Sequence, residues 1–532
     1  MKTNFYNTKI LTRLILRRER IASTAWIILT AALLGFLAFG MAEALDEASR
    51  IEMATVMDNP AMVAMIGPLI GTSFGAFFTS MMLVFTALAI IVMNIMLMVR
   101  HTRADEEKGR YEVVRSLPTG RLANLNAAII SAFIVNVILA VATGLLLFIL
   151  GDYSMCFNGS MLFGALLGSV GFIFAAIAAV FSQLSSSSRG AIGYSIMAMG
   201  VFYMMRAVGD VSAPALSLIS PIGLIIRAEA YYSNNWWPVI VTIVAAIPIL
   251  LLAYRLNLTR DIDQGFLPDK QGRAKGGILV KSPFGFTFKL LKTSIIVGTL
   301  TIFFIGASYG SILGDIDGFI EANEFYQNLI MMVEGISMPL LFAGMINFIA
   351  AMMALIPTLL YILKVRGEEK DYRTELILST PVSRIKYFAS FALIAFIISV
   401  VLQFLTALGL WASAAAVLYD LSEFPLRYVI LGNLAYLPAI WVIIGIAILL
   451  VGLLPKATSL IWALYGAIFF MGMFGRIGDI LPEWVLNISP FEHIPQYPME
   501  SISITTMVVL TIIASAFTVV GFIGFKNRDV RA

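Results

Sequence analysis

Long apolar stretches alternate with short polar ones along the whole chain. The apolar runs occupy approximately 22–41, 75–99, 126–150, 161–181, 189–205 and 236–254, then 294–313, 338–363, 388–412, 428–454, 457–475 and 503–525. Runs of about 20 apolar residues are what a helix needs to cross roughly 30 Å of hydrocarbon. Backbone groups in lipid must be satisfied internally, and the ten-residue alternating segments of a membrane barrel do not occur, so the pattern predicts helices. The expected fold is an all-α polytopic membrane protein with about twelve transmembrane helices in two parallel six-helix repeats. The predicted organisation is a first half at 1–260, a linker at 261–292 rich in Gly, Pro, Lys and Arg, and a second half at 293–532.

The polar stretches carry the repeat signal. RADEEKGRYEVVRSLPTGR (103–121) follows the second apolar run, and RGEEKDYRTELILSTPVSR (366–384) follows the eighth, at an offset of 263 residues. Seven of the nineteen positions are identical: Arg103/Arg366, Glu106/Glu369, Arg110/Arg373, Glu112/Glu375, Ser116/Ser379, Pro118/Pro381 and Arg121/Arg384. A second pair, GDVSAPALSLISP (209–221) and GDILPEWVLNISP (478–490), precedes the sixth run of each half. The sixth runs then exit into Arg260-Asp261 and Arg528-Asp529. Three matched landmarks in one order indicate an internal duplication. Six spans per half give both copies the same orientation, so the repeats are parallel rather than inverted.

Composition agrees: 60% of residues are apolar and 13% charged, against about a quarter charged in soluble proteins. The formal charge of +4 does not indicate nucleic-acid binding, because its distribution has another cause. The polar segments on one side of the predicted topology hold 31 of the 36 Lys and Arg but 13 of the 32 Asp and Glu. By the positive-inside rule that side is cytoplasmic, which puts both charged repeats and both termini in the cytoplasm of a cell-membrane protein. Residues 1–20 and the segment Phe284 to Lys292 read as basic amphipathic lead-ins along the cytoplasmic interface. The acids Glu43, Asp46, Glu47 and Glu52, and Asp315, Asp317, Glu321 and Glu324, fall in external loops, expected to form short interfacial helices. One cysteine, Cys156, excludes an intramolecular disulfide, and the isolated His101 and His493 offer no metal-ligand spacing.

The charged repeat has a definite mechanical reading. Glu106 to Arg110 and Glu369 to Arg373 stand at the i,i+4 spacing that supports a helix, so each preceding span is expected to project into the cytoplasm. Pro118 and Pro381 then break the helix, and Arg121 and Arg384 open the next element. The result is a helix, an elbow and a re-entry, twice. Acids contribute little to topology, so their retention in both copies points to a docking surface for a soluble partner. The spans hold neutral polar residues such as Asn94, Asn347, Gln403 and Asn433 in place of the ionisable groups that mark ion pathways. No GxxxxGK[ST] phosphate-binding loop occurs, so this chain is not expected to bind ATP by that route, and ATP-driven movement would draw its power from another subunit.

A basic lead-in, MVAMIGP near residue 62, and the long second span running into RHTRADEEKGRYEVVRSLPTGR resemble the permease of ATP-binding-cassette exporters of the polyketide-antibiotic (tetronasin-type) family. The linker GFLPDKQGRAKGG and the second charged repeat fit the same pattern. The resemblance implies a fused permease without catalytic residues or cofactors of its own, exporting hydrophobic or amphiphilic compounds. Two copies of a cytoplasmic ATPase subunit, holding ATP and Mg, would dock on the elbows. Glu106, Arg110, Glu112, Pro118 and Arg121 would form one coupling element, and Glu369, Arg373, Glu375, Pro381 and Arg384 the other. Met81, Met82, Phe85, Met352 and Met353, at helical spacing on the second and eighth spans, could line the substrate path. The same machine could instead carry a lipid or an antimicrobial peptide. An ion-coupled six-plus-six secondary transporter and a membrane scaffold are the alternatives from other classes.

Overall fold

The computed structural model describes residues 2–57, 60–261, 264–267, 276–311, 313, 337–418, 420–474 and 482–529. Among them the regular structure is helical, and eleven helices are long and apolar enough to cross a membrane. The protein is an all-α polytopic membrane protein. The chain divides into two compact units, 1–271 and 272–532.

Unit 1 contains the long helices α1 (Thr8–Ala44), α2 (Phe74–His101), α3 (Ala123–Leu150), α4 (Phe157–Leu184), α5 (Ser188–Val211) and α6 (Trp237–Thr259). The centre is α4, which is almost wholly enclosed and lies against α2, α3 and α6. Small residues make this possible. A Cβ on Gly164 would sit 2.1 Å from the Ala140 carbonyl oxygen, so α3 and α4 meet backbone to backbone. In the apolar interior Asn94 of α2 and Asn136 of α3 exchange amide hydrogen bonds at 3.1 and 2.6 Å.

Unit 2 contains α7 (Pro283–Ser311), α8 (Met338–Lys370), α9 (Arg384–Val417), α10 (Leu426–Leu453), α11 (Leu460–Phe474) and α12 (Ile504–Asn527). Here α7 lies along α9, and α10 along α12. In the expected span at 457–475, a turn through Pro455 to Ser459 delays the helix to Leu460, and its described part runs to Phe474.

Two expectations need correction. From Thr8 onward the first lead-in, and the whole of Phe284 to Lys292, are not separate helices but continue into their spans inside α1 and α7, while Lys2–Phe5 forms a 3-10 turn of its own. Nothing in either junction breaks a helix: the run from Thr8 to Ala44 contains no Pro, and its only glycines are Gly35 and Gly40. In the first loop the acids lie around two short helices, Glu47–Met57 and Pro60–Ile66. Asp315, Asp317, Glu321 and Glu324, and the start of the second GD motif, lie outside the described residues.

Candidate functional site

Each charged repeat is an elbow, and both have the same construction. In unit 1, α2 bends at Thr102, continues as Arg103–Glu107, and turns at Gly109, whose φ is 68°. A short helix, Arg110–Arg115, leads to Pro118 and then to α3. In unit 2, α8 runs unbroken to Lys370, turns at Tyr372 with φ 58°, and forms the short helix Arg373–Leu378 before Pro381 and α9. The prolines follow helices that have already ended three residues earlier. The decisive break is the left-handed residue at 109 or 372, which the sequence discloses only in the glycine copy.

The ion pairs differ from the helical spacing expected for them. Arg110 reaches Asp105 at 3.2 Å, and Arg373 reaches Glu368 at 3.3 Å. Glu106 and Glu369 are instead buried, at 5% and 2% exposure, and are held from two sides. Arg103 donates to Glu106 at 3.1 Å and Arg260, just past the end of α6, at 2.6 Å. Arg366 donates to Glu369 at 3.1 Å, and Arg528, just past the end of α12, completes the matching clamp. The direction of the left-handed turn explains the exchange: it carries Arg110 and Arg373 back over the acid one position earlier. Arg121 and Arg384 close each arrangement, donating at 2.8 Å to the carbonyl oxygens of Arg260 and Arg528.

Each elbow base is therefore stapled to the last helix of its own unit. The Arg260-Asp and Arg528-Asp landmarks were the sequence signal for these clamps, legible as a repeat but not as a contact. Unit 1 adds further ties. Arg18 of α1 forms two bonds with Asp105, at 2.7 and 3.0 Å, while Glu19 accepts from Arg100 at 2.9 Å and lies 2.7 Å from His101 Nε2. The segment before α1 straps the elbow, with Asn7 donating to the Pro118 carbonyl and Gly120 N–H to Tyr6. Tyr111 bridges to the Arg121 carbonyl at 3.4 Å, and burial raises its phenol above the ordinary value. In unit 2 Lys364 stands 263 residues after His101 and pairs with Glu368 at 2.8 Å.

The tips are the free part. Glu112, Pro118, Glu375 and Pro381 are exposed, and beside them Val113 and Leu376, again 263 apart, are 68% and 71% exposed. Of the proposed coupling residues, then, Glu106 and Glu369 brace the base, while Glu112, Pro118, Glu375 and Pro381 face outward. The proposed path residues do not share one environment. Met352 is fully enclosed, Met82 and Met353 lie against the cores of their units, Met81 packs beside Ile66 and Phe77, and Phe85 is exposed.

At the end opposite the elbow, unit 1 holds a buried network that the sequence concealed. Arg206 and Asp210 lie within α5, where the apolar run had suggested a span ending at 205. Arg206 donates to the carbonyls of Ala64 and Met65, fixing the MVAMIGP segment. Asp210 accepts from Ser217 at 2.6 Å and Arg227 at 3.2 Å. The signal was Asp210 itself, in the repeated GD motif.

Eleven helices long and apolar enough to span a membrane among the described residues, with a polar elbow at one end of each unit, define a polytopic membrane protein. The family described as "Multidrug efflux system permease Rv1217c, C-terminal domain" matches residues 12–255 and 280–526, one stretch in each unit. The chain belongs to this family. It is 29% identical over 538 residues to the multidrug efflux system permease protein Rv1217c of Mycobacterium tuberculosis (strain ATCC 25618 / H37Rv), covering 99% of this chain and 96% of that protein.

Proposed function

We infer that this chain is the membrane subunit of an ATP-driven exporter of hydrophobic or amphiphilic compounds, of the tetronasin-type group its motifs resemble. Separate ATPase subunits, one on each elbow, bind ATP and Mg and supply the power. Both elbows and both termini face the cytoplasm of a cell-membrane protein, as the Lys and Arg distribution favours. The observation that carries this reading is the division of labour within each elbow. An exposed acidic and apolar tip rises from a base clamped by a buried Glu–Arg staple to the last helix of its unit. A force applied at the tip reaches the membrane helices through that staple. The relative's name, a multidrug efflux permease, supports a varied amphiphilic cargo.

The test is purification of the tagged protein from native membranes with its partners, comparing wild type with Val113→Asp/Leu376→Asp. An ATPase that accompanies wild type and is lost from the variant, with both chains equally stable, is the expected result. Transport that persists after ATP depletion but stops with an uncoupler overturns the reading and leaves an ion-coupled transporter.

A further inference from the structure

We propose that the groove between α3, α4 and α6 in unit 1, open along one side, binds the uncharged aromatic part of an amphiphilic small molecule. The groove has a volume of about 250 Å³. Phe133 and Phe172 form one wall with their rings edge to face at 5.3 Å, Ala165 and Gly168 form the floor, and Trp236 stands at the rim. None of the lining residues is charged, and an ion placed there would lose its hydration without a counter-charge. The rim is polar: the Trp236 indole N–H donates to Asn158 at 3.0 Å, at the end of the unit away from the elbow. A ring can enter while a polar group stays beside Trp236 and Asn158.

Unit 2 indicates the shape of the occupant. Phe396 and Ser399 stand 263 residues after Phe133 and Asn136. Counted back from the ends of α4 at Leu184 and of α10 at Leu453, Trp441 stands at the position of Phe172. Leu434 and Leu437 then stand where Ala165 and Gly168 form the floor. The Trp441 ring meets Phe396 edge to face at 6.0 Å, and its N–H donates to Ser399 at 3.0 Å. In unit 2 the larger Trp441, Leu434 and Leu437 thus stand where unit 1 has Phe172, Ala165 and Gly168, so the same place holds less side chain in unit 1. Asn136 and Ser169 are among the residues that line the groove, and the exposed lining is almost wholly apolar.

The proposal rests on the reading of the chain as a transport subunit, and names the part of the cargo that this site grips. The test is photolabelling of the full chain in lipid vesicles with a neutral benzophenone amphiphile, mapped by mass spectrometry. Labelling is expected on the peptides carrying Phe133 and Trp236, and to fall about tenfold in Ala165→Leu and in Phe172→Trp, which copy Leu434 and Trp441 of unit 2. Unchanged thermal unfolding certifies that the variants are folded. Should either variant fail to fold, competition in wild type by a non-photoreactive naphthyl amphiphile must displace the label. Undiminished labelling in folded variants overturns the proposal. So does labelling by an alkyl-diazirine phospholipid that the naphthyl compound cannot displace, which would make the groove an acyl-chain site. Because the labelling needs neither ATP nor a partner, a failure here is distinct from a failure of the exporter reading.

Discussion

Arg260 donates to the carboxylate of Glu106 at 2.6 Å, joining residues 154 positions apart and tying the end of α6 to the base of the first elbow. Both side chains are largely withdrawn from solvent. Removing Arg260 leaves Glu106 still paired with Arg103, so the cost should fall below the about 3–5 kcal/mol of a fully uncompensated buried charge. Arg260→Ala is expected to lower the unfolding midpoint of the purified protein markedly. The double variant Arg260→Met/Glu106→Leu should lose less than the sum of the single changes. Strict additivity would show that the two groups do not act as a pair.

The left-handed turn predicts opposite outcomes in the two elbows. Gly109 has open space where a Cβ would go, so Gly109→Ala pays only for the backbone conformation, about 1 kcal/mol. Tyr372 already occupies that conformation with a side chain, and Tyr372→Gly relieves it. Thermal unfolding should shift down in the first variant and stay level or rise in the second. Equal destabilisation by both would remove backbone strain as the cause.

Helix contact in unit 1 depends on Gly164 and not on every glycine. A Cβ at Gly164 meets the Ala140 carbonyl at 2.1 Å, whereas one at Gly193 meets nothing within 4 Å. Gly164→Ala must push α3 and α4 apart and is expected to destabilise by about 1–3 kcal/mol. Gly193→Ala serves as the control and should unfold with wild type. Indistinguishable melting of the two variants would refute the backbone-to-backbone contact.

The amide pair in the interior gives a fourth measurement. Asn136→Leu leaves the Asn94 amide without its cross-helix partner and is expected to cost about 1 kcal/mol, the scale found for hydrogen bonds between membrane helices. Replacing both residues by Leu should recover part of the loss, because no orphaned amide then remains. A double variant worse than either single change would contradict this account.

The apolar periodicity made the helices legible, because hydrocarbon admits few other solutions for a long apolar run. It also located both elbows, through the acids and bases at a fixed offset. The partners of those charges were not legible. Glu106 and Arg110 have helical spacing, but the positive φ at Gly109 redirects Arg110 to Asp105, and a periodicity argument assumes the helix continues. The clamp on Glu106 comes from Arg260, a contact set by how α6 ends beside α2. Arg206 and Asp210 were hidden for a related reason: they face one another inside the unit, so their charge does not mark the end of the helix that carries them.

The length of α1 sets how far the elbow stands from the lipid. Its 37 residues rise about 55 Å, against roughly 30 Å of hydrocarbon, and the segment leading into it is bonded to the first elbow beside Pro118. A surplus of about 25 Å must project beyond the apolar layer. The basic end of the helix, Thr8 to Arg20, accounts for about 20 Å of it, of which the headgroup layer takes roughly 5–7 Å. On the exporter reading proposed above, that stand-off would let a separate subunit seat against the elbow without displacing lipid, so that the chain serves as a pedestal as well as a conduit.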